Sequence, residues 1–562
     1  MNLEILVFFS FYFLAIFSVI GYGLFFANLT NFKSASQNQG YLGLVGLFFL
    51  TIYSYLSNFF YSHGLVHNSF LLFVGLFLYF YLSDNKKTED KNQIFITIII
   101  FLILFIAILI FKTHDDFPYY HFAYSYYLTQ SSSFIGIGAF NHGFRTPSSI
   151  FYMNSLFYLP ILKFYLFHIP ALMIMGFVNI ILIKNILNNL DKTSVNFITF
   201  FSLFSFLFIN IFFYRVGEHG TDRSSQILVF ILLIEILLLI NFKYEFDDKL
   251  SKIFILLGLI ISLKAFYILY ILFLIPVVLK FIKVKNNFNL LSIIKNKFCI
   301  FFILITCLML LTNFFNTGCF IYPISASCLP NLSWAFDVEL VNQMNDWYEQ
   351  WSKAGAGPNF RVDNPQEYIK FLNWVPNWID VYFFNKVSDF VLGVLFTVLI
   401  VFFTFNSKVK NKIEPRNIFL IYLTMIILFF EWFYNHPALR YGGYCIISSL
   451  IFLPIAQILE KKVNLKNKNL SMKFKVLVIS GFIIFFGRNL DRISNEKEIY
   501  GYNFLAQPYY SFNNQFFSIQ NEFAKLIKNF EECKKDVDNN CSKDLEPKVV
   551  KSFGKYIFIN NR

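Results

Sequence analysis

Apolar runs close to twenty residues long recur along this chain, separated by short polar connections. At 1.5 Å of helical rise per residue, each run matches the roughly 30 Å hydrocarbon layer of a bilayer. A backbone in lipid must satisfy its amides within its own segment, so the runs predict helices. Spans are expected near 3–27, 41–60, 67–83 and 94–111, then near 169–187, 194–213, 226–241 and 298–315. Four more fall near 388–405, 417–433, 445–460 and 474–487.

Two stretches resist this simple reading. Between a polar loop at 112–147 and a basic connection at 184–192 lie mostly apolar residues, and parity asks for an odd number of crossings. An interfacial helix from Ser148 to Phe167, followed by one span, satisfies that count. The segment 253–279 must begin and end on one side, yet two full crossings need about 20 residues each. Two half-length helices meeting near Lys264 resolve the conflict, and such a break is tolerated only where it lines a protein-enclosed or wet cavity. The fold class is therefore an all-α polytopic membrane protein, with about 13–14 transmembrane helices if each run of that length crosses.

Composition agrees. A chain that is 57% hydrophobic and 14% charged carries more apolar surface than a soluble domain can hide. The abundance of Phe, with Ile, Asn and Lys, resembles the coding bias of an AT-rich genome, so single aromatics carry little weight as site markers. The run from Leu3 to Ala27 lacks a basic lead and a small-residue cleavage pattern, and it reads as a retained span.

Net charge of +13 suggests nucleic acid until its location is considered. Lys and Arg concentrate in the connections 83–93, 184–192, 241–252, 280–297, 407–416 and 461–475, and are sparse in 112–147, 215–226 and 434–444. That alternation is the positive-inside pattern: the basic connections face the cytoplasm and no nucleic-acid partner is implied. Cys319 and Cys328 share one outside segment, and Cys533 and Cys541 share an outside tail, so two disulfides are expected. Cys299, Cys307 and Cys445 fall in spans and read as packing, and no Cys/His spacing suggests zinc. The expected organisation is N-terminal helices over 1–93, a core over 94–330, a Trp-rich outside segment over 331–387, further helices over 388–487 and an outside tail over 488–562.

Candidate chemistry gathers in the outside loops. Asp115 and Asp116 follow a span directly; adjacent carboxylates suit a general base with an electrostatic partner, or a divalent cation. A solvated helix N-terminus explains them equally well. The stretch from Arg215 to Ser225 concentrates Glu218, His219, Asp222 and Arg223, with a polar turn capped by Thr221 or Asp222 as the plain alternative. Lys264 sits in an apolar stretch, where an ammonium either finds an anion or snorkels to the interface. Arg440 and Arg145 are cations suited to gripping a phosphate. Glu235, within its span near the inner leaflet, reads as a packing or hydrogen-bonded residue.

The order of these parts resembles the GT-C superfamily of membrane glycosyltransferases, which includes protein O-mannosyltransferases and lipid A aminoarabinose transferases. The likeness runs through Asp115-Asp116 with Tyr119-Tyr120, Thr146-Pro147-Ser148-Ser149, His168-Ile169-Pro170 and Gly220-Thr221-Asp222-Arg223. It continues through Ser262-Leu263-Lys264-Ala265 to Asn316-Thr317-Gly318, with Tyr322-Pro323 beyond, and covers roughly residues 94–330. The three N-terminal spans and the Trp-rich segment depart from the compact members. The resemblance implies inverting transfer of a sugar from a polyprenyl-phosphate donor to an extracytoplasmic acceptor, at the bilayer surface, in a bacterial inner membrane with the site facing the periplasm.

It implies Asp115 or Asp116 as base and Asp222 as an orienting or metal-holding carboxylate. Lys264, Arg440, Arg145, Arg223, Tyr119 and His121 would be the substrate-binding set. Some members use a divalent cation and others none, so no cofactor follows. The rival expectations are a surface-polysaccharide polymerase or ligase, which leans on Arg-rich outside loops, and a lipid-linked-sugar transporter or flippase, which needs more charge at mid-depth.

Overall fold

A computed structural model describes residues 3–32, 34–35, 38–83, 89–191, 195–242, 246–285, 293–357, 362–409, 411, 416–511, 514–533, 548–552 and 555–559. The helices α1 (Leu3–Thr30), α2 (Gln39–Phe60), α3 (Leu65–Ser83) and α4 (Glu89–Leu104) open the bundle. Two short helices, α5 (Phe122–Gln130) and α6 (Ser149–Ser155), follow in the first large loop. Then come α7 (Ile169–Asp191), α8 (Phe197–Phe212), α9 (Asp222–Asn241), α10 (Phe246–Leu263), α11 (Leu274–Lys285) and α12 (Lys297–Thr317). The Trp-rich segment holds α13 (Val338–Lys353). The bundle ends with α14 (Ser388–Phe405), α15 (Phe419–Asn435), α16 (Gly443–Lys462) and α17 (Leu470–Tyr500).

Among the described residues 11 helices are long and apolar enough to cross a membrane, and α8 and α15 are apolar but shorter. The chain is thus a mostly helical polytopic membrane protein. Its centre is α9 and α7, whose spanning windows are 94% and 89% buried. Around them, α3, α14 and α15 turn large side chains outward, among them Phe70, Phe73, Phe403 and Phe430. Such a belt is stable against acyl chains and would be costly in water.

The N-terminal helices are not loosely appended. A Cβ on Gly21 would stand 1.9 Å from the Gly75 carbonyl oxygen, and one on Gly46 2.0 Å from that of Val19. Only glycine allows α1 to approach α2 and α3 so closely. In turn α2 packs on α6, α7, α10 and α12 within one continuous core.

Polar contacts divide the bundle into two ends. At one end the basic connections meet: Arg416 pairs with Glu460 at 2.6 Å, Asn417 N–H donates to Asn241 Oδ1, and Asn296 bonds Ser251. At the other end lie the loop 112–147, the turn before α9 and the segment following α15. The tail joins this second end. Ser511 N–H donates to the Phe111 carbonyl, and in a hairpin of β1 (Lys548–Ser552) and β2 (Lys555–Ile559) the second strand bonds both the N–H and the carbonyl of Ile135. Helix α18 (Asn514–Cys533) precedes that hairpin.

Several expectations need correction. The helix placed over Ser148–Phe167 spans only Ser149–Ser155. Beyond it Pro160 brings no N–H, Ile161 and Lys163 adopt positive φ, and an antiparallel bridge joins Leu159 to Lys163. The element around Lys264 is broken as expected, but its arms are not half-length. Helix α10 extends back through the charged residues Asp247, Asp248, Lys249 and Lys252 to Phe246, with Lys249 paired to Glu235 and Lys252 to Asp248. The all-α expectation needs one exception, since the tail carries the hairpin. Cys319 and Cys328 form a disulfide; the expected Cys533–Cys541 pair falls on Cys541, outside the described residues. Cys299 and Cys445 are buried free thiols, whereas Cys307 is free and exposed on its helix.

Candidate functional site

Four charged side chains, far apart in sequence, meet at the end of the bundle opposite the basic connections. Asp222 stands in the first turn of α9. It caps nothing there, and Thr221, at the N-cap, makes no side-chain cap bond. Its Oδ1 instead accepts from Lys264 Nζ and its Oδ2 from Arg440 Nε at 2.8 Å. Arg440 Nη2 reaches on to Asp116 Oδ2 at 3.1 Å. The chain of contacts runs Lys264, Asp222, Arg440, Asp116.

Local structure explains each position. Lys264 is a single extended residue between α10 and a 3-10 segment, Ala265–Phe273. The Leu263 carbonyl, freed by the break, accepts from Ser148 Oγ at 2.5 Å, and Ser262 donates to Ser149. The start of α6 therefore satisfies what the break leaves open. Arg440 rides on the turn Leu439–Tyr441, which Gly442 ends at φ 103°; a Cβ there would meet the Tyr270 hydroxyl at 2.7 Å. Gln226 lies one helical turn below Asp222. Its Nε2 donates to the Arg440 carbonyl at 3.0 Å and its Oε1 accepts from Cys445 N–H at 3.1 Å. Asp116 begins a π-helical turn, Phe117–His121, leading into α5.

Aromatic rings enclose the cations. Lys264 Nζ lies 4.4 Å from the Tyr441 ring centre, and the Arg440 guanidinium lies 5.8 Å from the ring centre of Trp351 of α13 and 5.9 Å from that of Tyr441. Burial pushes the Asp116 carboxyl up, but Arg440, then His121 and His114, outweigh it and hold it below the ordinary carboxylate range. Burial drives His121 down to about 3, with the two aspartates and the two cations pulling in opposite directions. It is a neutral imidazole at pH 7, and its buried Nε2 has no hydrogen-bond partner. With two carboxylates and two cations, the cluster is charge-balanced as it stands.

The sequence candidates separate into two groups. Asp116, Asp222, Lys264, Arg440 and His121 come together, with Tyr119 half-buried beside Asp116 and Arg145. Asp115 does not join them: it is exposed, because the turn that aims Asp116 inward sends its neighbour outward. Arg145 is directed to the Gly138 carbonyl at 3.2 Å, the Tyr322 hydroxyl at 3.3 Å and the Phe336 ring. Arg223 stacks on Phe213, on a different face of α9 from Asp222. Among the described residues no three His, Cys, Asp or Glu side chains converge to hold a metal ion.

Sequence reasoning missed Tyr441, Trp351 and Gln226. Gln226 had a signal, since it lies four residues after Asp222 and so on the same helix face. Trp351 had none: its approach depends on how α13 folds back over the bundle.

The model of a family described as a domain of unknown function (DUF8201) matches residues 5–447. The chain belongs to this family. The matched region contains α1 to α3 and all four members of the ion cluster, and it stops before α17 and the tail. No curated protein and no solved structure matches the chain.

Proposed function

We propose that this chain is an inverting glycosyltransferase of a bacterial inner membrane, transferring a sugar from a polyprenyl-phosphate donor to an acceptor on the periplasmic side. The observation that carries this reading is the convergence of Asp116, Asp222, Lys264 and Arg440 at the end of the bundle remote from the basic connections. A carboxylate that can take a proton and two cations that can hold a phosphate are what the reaction needs.

Asp116 accepts the proton of the acceptor hydroxyl or amine as that atom bonds to the anomeric carbon. The bond from that carbon to the phosphate oxygen breaks with its electron pair, and Lys264 and Arg440 stabilise the growing negative charge. Asp222, bonded to both cations, holds them in register. Arg440 now spends its donors on the two carboxylates, so the donor phosphate binds by exchange, taking Arg440 and leaving Asp116 more basic.

The test is transfer in membranes supplied with a polyprenyl-phosphate sugar, using Asp116→Asn and Asp115→Asn separately. Asp116→Asn is expected to lose on the order of 10²–10⁴ in rate, the typical worth of a general base. Asp115→Asn should stay close to the parent. Full activity in both variants ends the assignment. Labelling of a cysteine at position 115 from the periplasmic side checks the orientation; labelling only from the cytoplasm reverses it.

A further inference from the structure

A second polar site lies on the same end of the bundle, away from the ion cluster. Where α2 gives way to α3, and α5 ends, the surface carries a broad, largely open depression of about 770 Å³. That size is within the range of small-molecule sites. Tyr61, His67, Gln130, Ser131, Ser132 and Tyr158 contribute to its walls, and among the described residues no Lys, Arg, Asp or Glu does.

The wall behind it is fixed by buried polar groups. His63 is fully buried and bonds Ser57 at 2.9 Å through Nε2 and Ser155 at 2.6 Å through Nδ1. His67 stacks on His63 with ring centres 5.2 Å apart, and bonds Tyr53 and Asn68, each at 2.8 Å. Asn68 in turn donates to the carbonyls of His63 and Ser155. With both nitrogens of each ring engaged, neither histidine is available as an acid, a base or a ligand to metal. What they supply is rigidity: a preorganised surface that loses little freedom when something binds.

This wall is mechanically joined to the ion cluster. Helix α6 begins at the Leu263 carbonyl through Ser148 and ends at Ser155 on His63. Helix α5 starts directly after His121 and ends at Gln130 in the depression, nine residues or roughly 14 Å along its axis. Both helices thus hold the two sites at a fixed spacing.

The lining chooses the ligand class. The lining side chains offer an ion no counter-charge, and the nearby Lys555 ammonium is engaged by the Phe59 carbonyl and Ser133. Hydroxyls, an amide and two tyrosines suit a neutral polyhydroxylated ring, which presents polar edges and an apolar face. The rim carries Phe60 and Val66, 68% and 85% exposed, and continues into the outward Phe70 and Phe73 of α3. A ligand can therefore keep one end in the bilayer.

We propose that this depression binds an uncharged glycosyl group, as a glycolipid headgroup or as part of a free oligosaccharide. Its role as the acceptor's holding site rests on the glycosyltransferase reading; the binding itself does not.

The experiment measures binding without turnover. The full chain is placed in phosphatidylcholine nanodiscs and titrated calorimetrically with maltotriose, and separately assembled with diglucosyl diacylglycerol at graded mole fractions. The decisive variant is Gly64→Leu, because Gly64 lines the depression and a Cβ there meets only Ser62 Oγ and the Thr129 carbonyl oxygen, both at 3.9 Å, so that a side chain is added to the wall without a clash at its root. Binding of either probe is expected, weakened at least tenfold in Gly64→Leu and several-fold in Gln130→Ala, with melting temperatures kept near the parent's. Maltotriose binding identifies the free saccharide, and glycolipid binding alone identifies the headgroup. Failure of both probes, unchanged affinity in Gly64→Leu, or equal displacement by phosphatidylglycerol overturns the proposal. Loss of transfer in Asp116→Asn with no saccharide binding here would leave the enzyme reading standing and end this one.

Discussion

Helix α9 carries a buried carboxylate near each end, and the two are built differently. Asp222 opens the helix; Glu235 lies thirteen residues on, roughly 20 Å along the axis. Each pairs with a lysine. Glu235 takes Lys249 at 2.8 Å and the Tyr41 hydroxyl, and the side chains of the ion pair are 2% and 9% exposed. Its partners come from packed helices and close around it. At the other end, Arg440 and Asp116 remain 31% and 29% exposed. Their donors and acceptors come from loops and from the break at Lys264. The closed pair has no route by which a ligand could replace a partner, whereas the open cluster can exchange its carboxylates for an incoming anion. Burial of charge alone therefore marks nothing; access to it does.

That contrast can be broken most forcefully at Glu235. Glu235→Ala removes the buried carboxylate that Lys249 and Tyr41 bond and is expected to cost about 3–5 kcal/mol of stability, as for other broken buried pairs. Denaturant unfolding in detergent measures it, and transfer per folded molecule should stay at the parental rate. A loss of transfer with unchanged stability would erase the distinction between the two ends.

Lys264→Met should show the converse. Transfer falls on the order of 10²–10³, the usual effect of losing one group that stabilises a developing anion, while stability changes little because Arg440 still holds Asp222. Parental turnover in this variant would remove Lys264 from the reaction.

A smaller effect sharpens the role of Arg440. In the proposed transfer Asp116 must be ionised to act as base, and Arg440 is the chief group lowering its pKa. In the parent, activity should persist into acid below the ordinary carboxylate range. In Arg440→Gln the acid limb of kcat/KM moves up toward neutral pH. A limb that stays in place shows that another group sets the basicity. Least of all should change in Asp115→Asn, whose side chain faces solvent.

Much of this was legible in the sequence, for reasons particular residues make clear. Lys264 announced a break because a lone ammonium and an impossible span length fell on one segment. Asp222 and Arg440 were visible as charges at the ends of apolar runs. The choice between Asp115 and Asp116 was not legible, because a π-helical turn shifts side-chain directions away from the usual helical repeat. The helix over Ser148–Phe167 was overextended because apolar composition does not register that Ile161 and Lys163 take positive φ. Tyr441 and Trp351 were hidden for another reason: contacts between distant segments leave no periodic trace.

The hairpin on Ile135 has a consequence for how the chain matures. Lys555 donates to Ser133 across 422 residues, and the Ile135 N–H and carbonyl are bonded to the same strand. At 5–20 residues per second, a ribosome needs roughly 20–80 s to travel that distance. Throughout that interval the loop that bears Asp116 is without its brace. Insertion and assembly of the site are therefore separate events in time, and a nascent chain stalled before the hairpin would expose a loop edge that quality-control proteases could recognise.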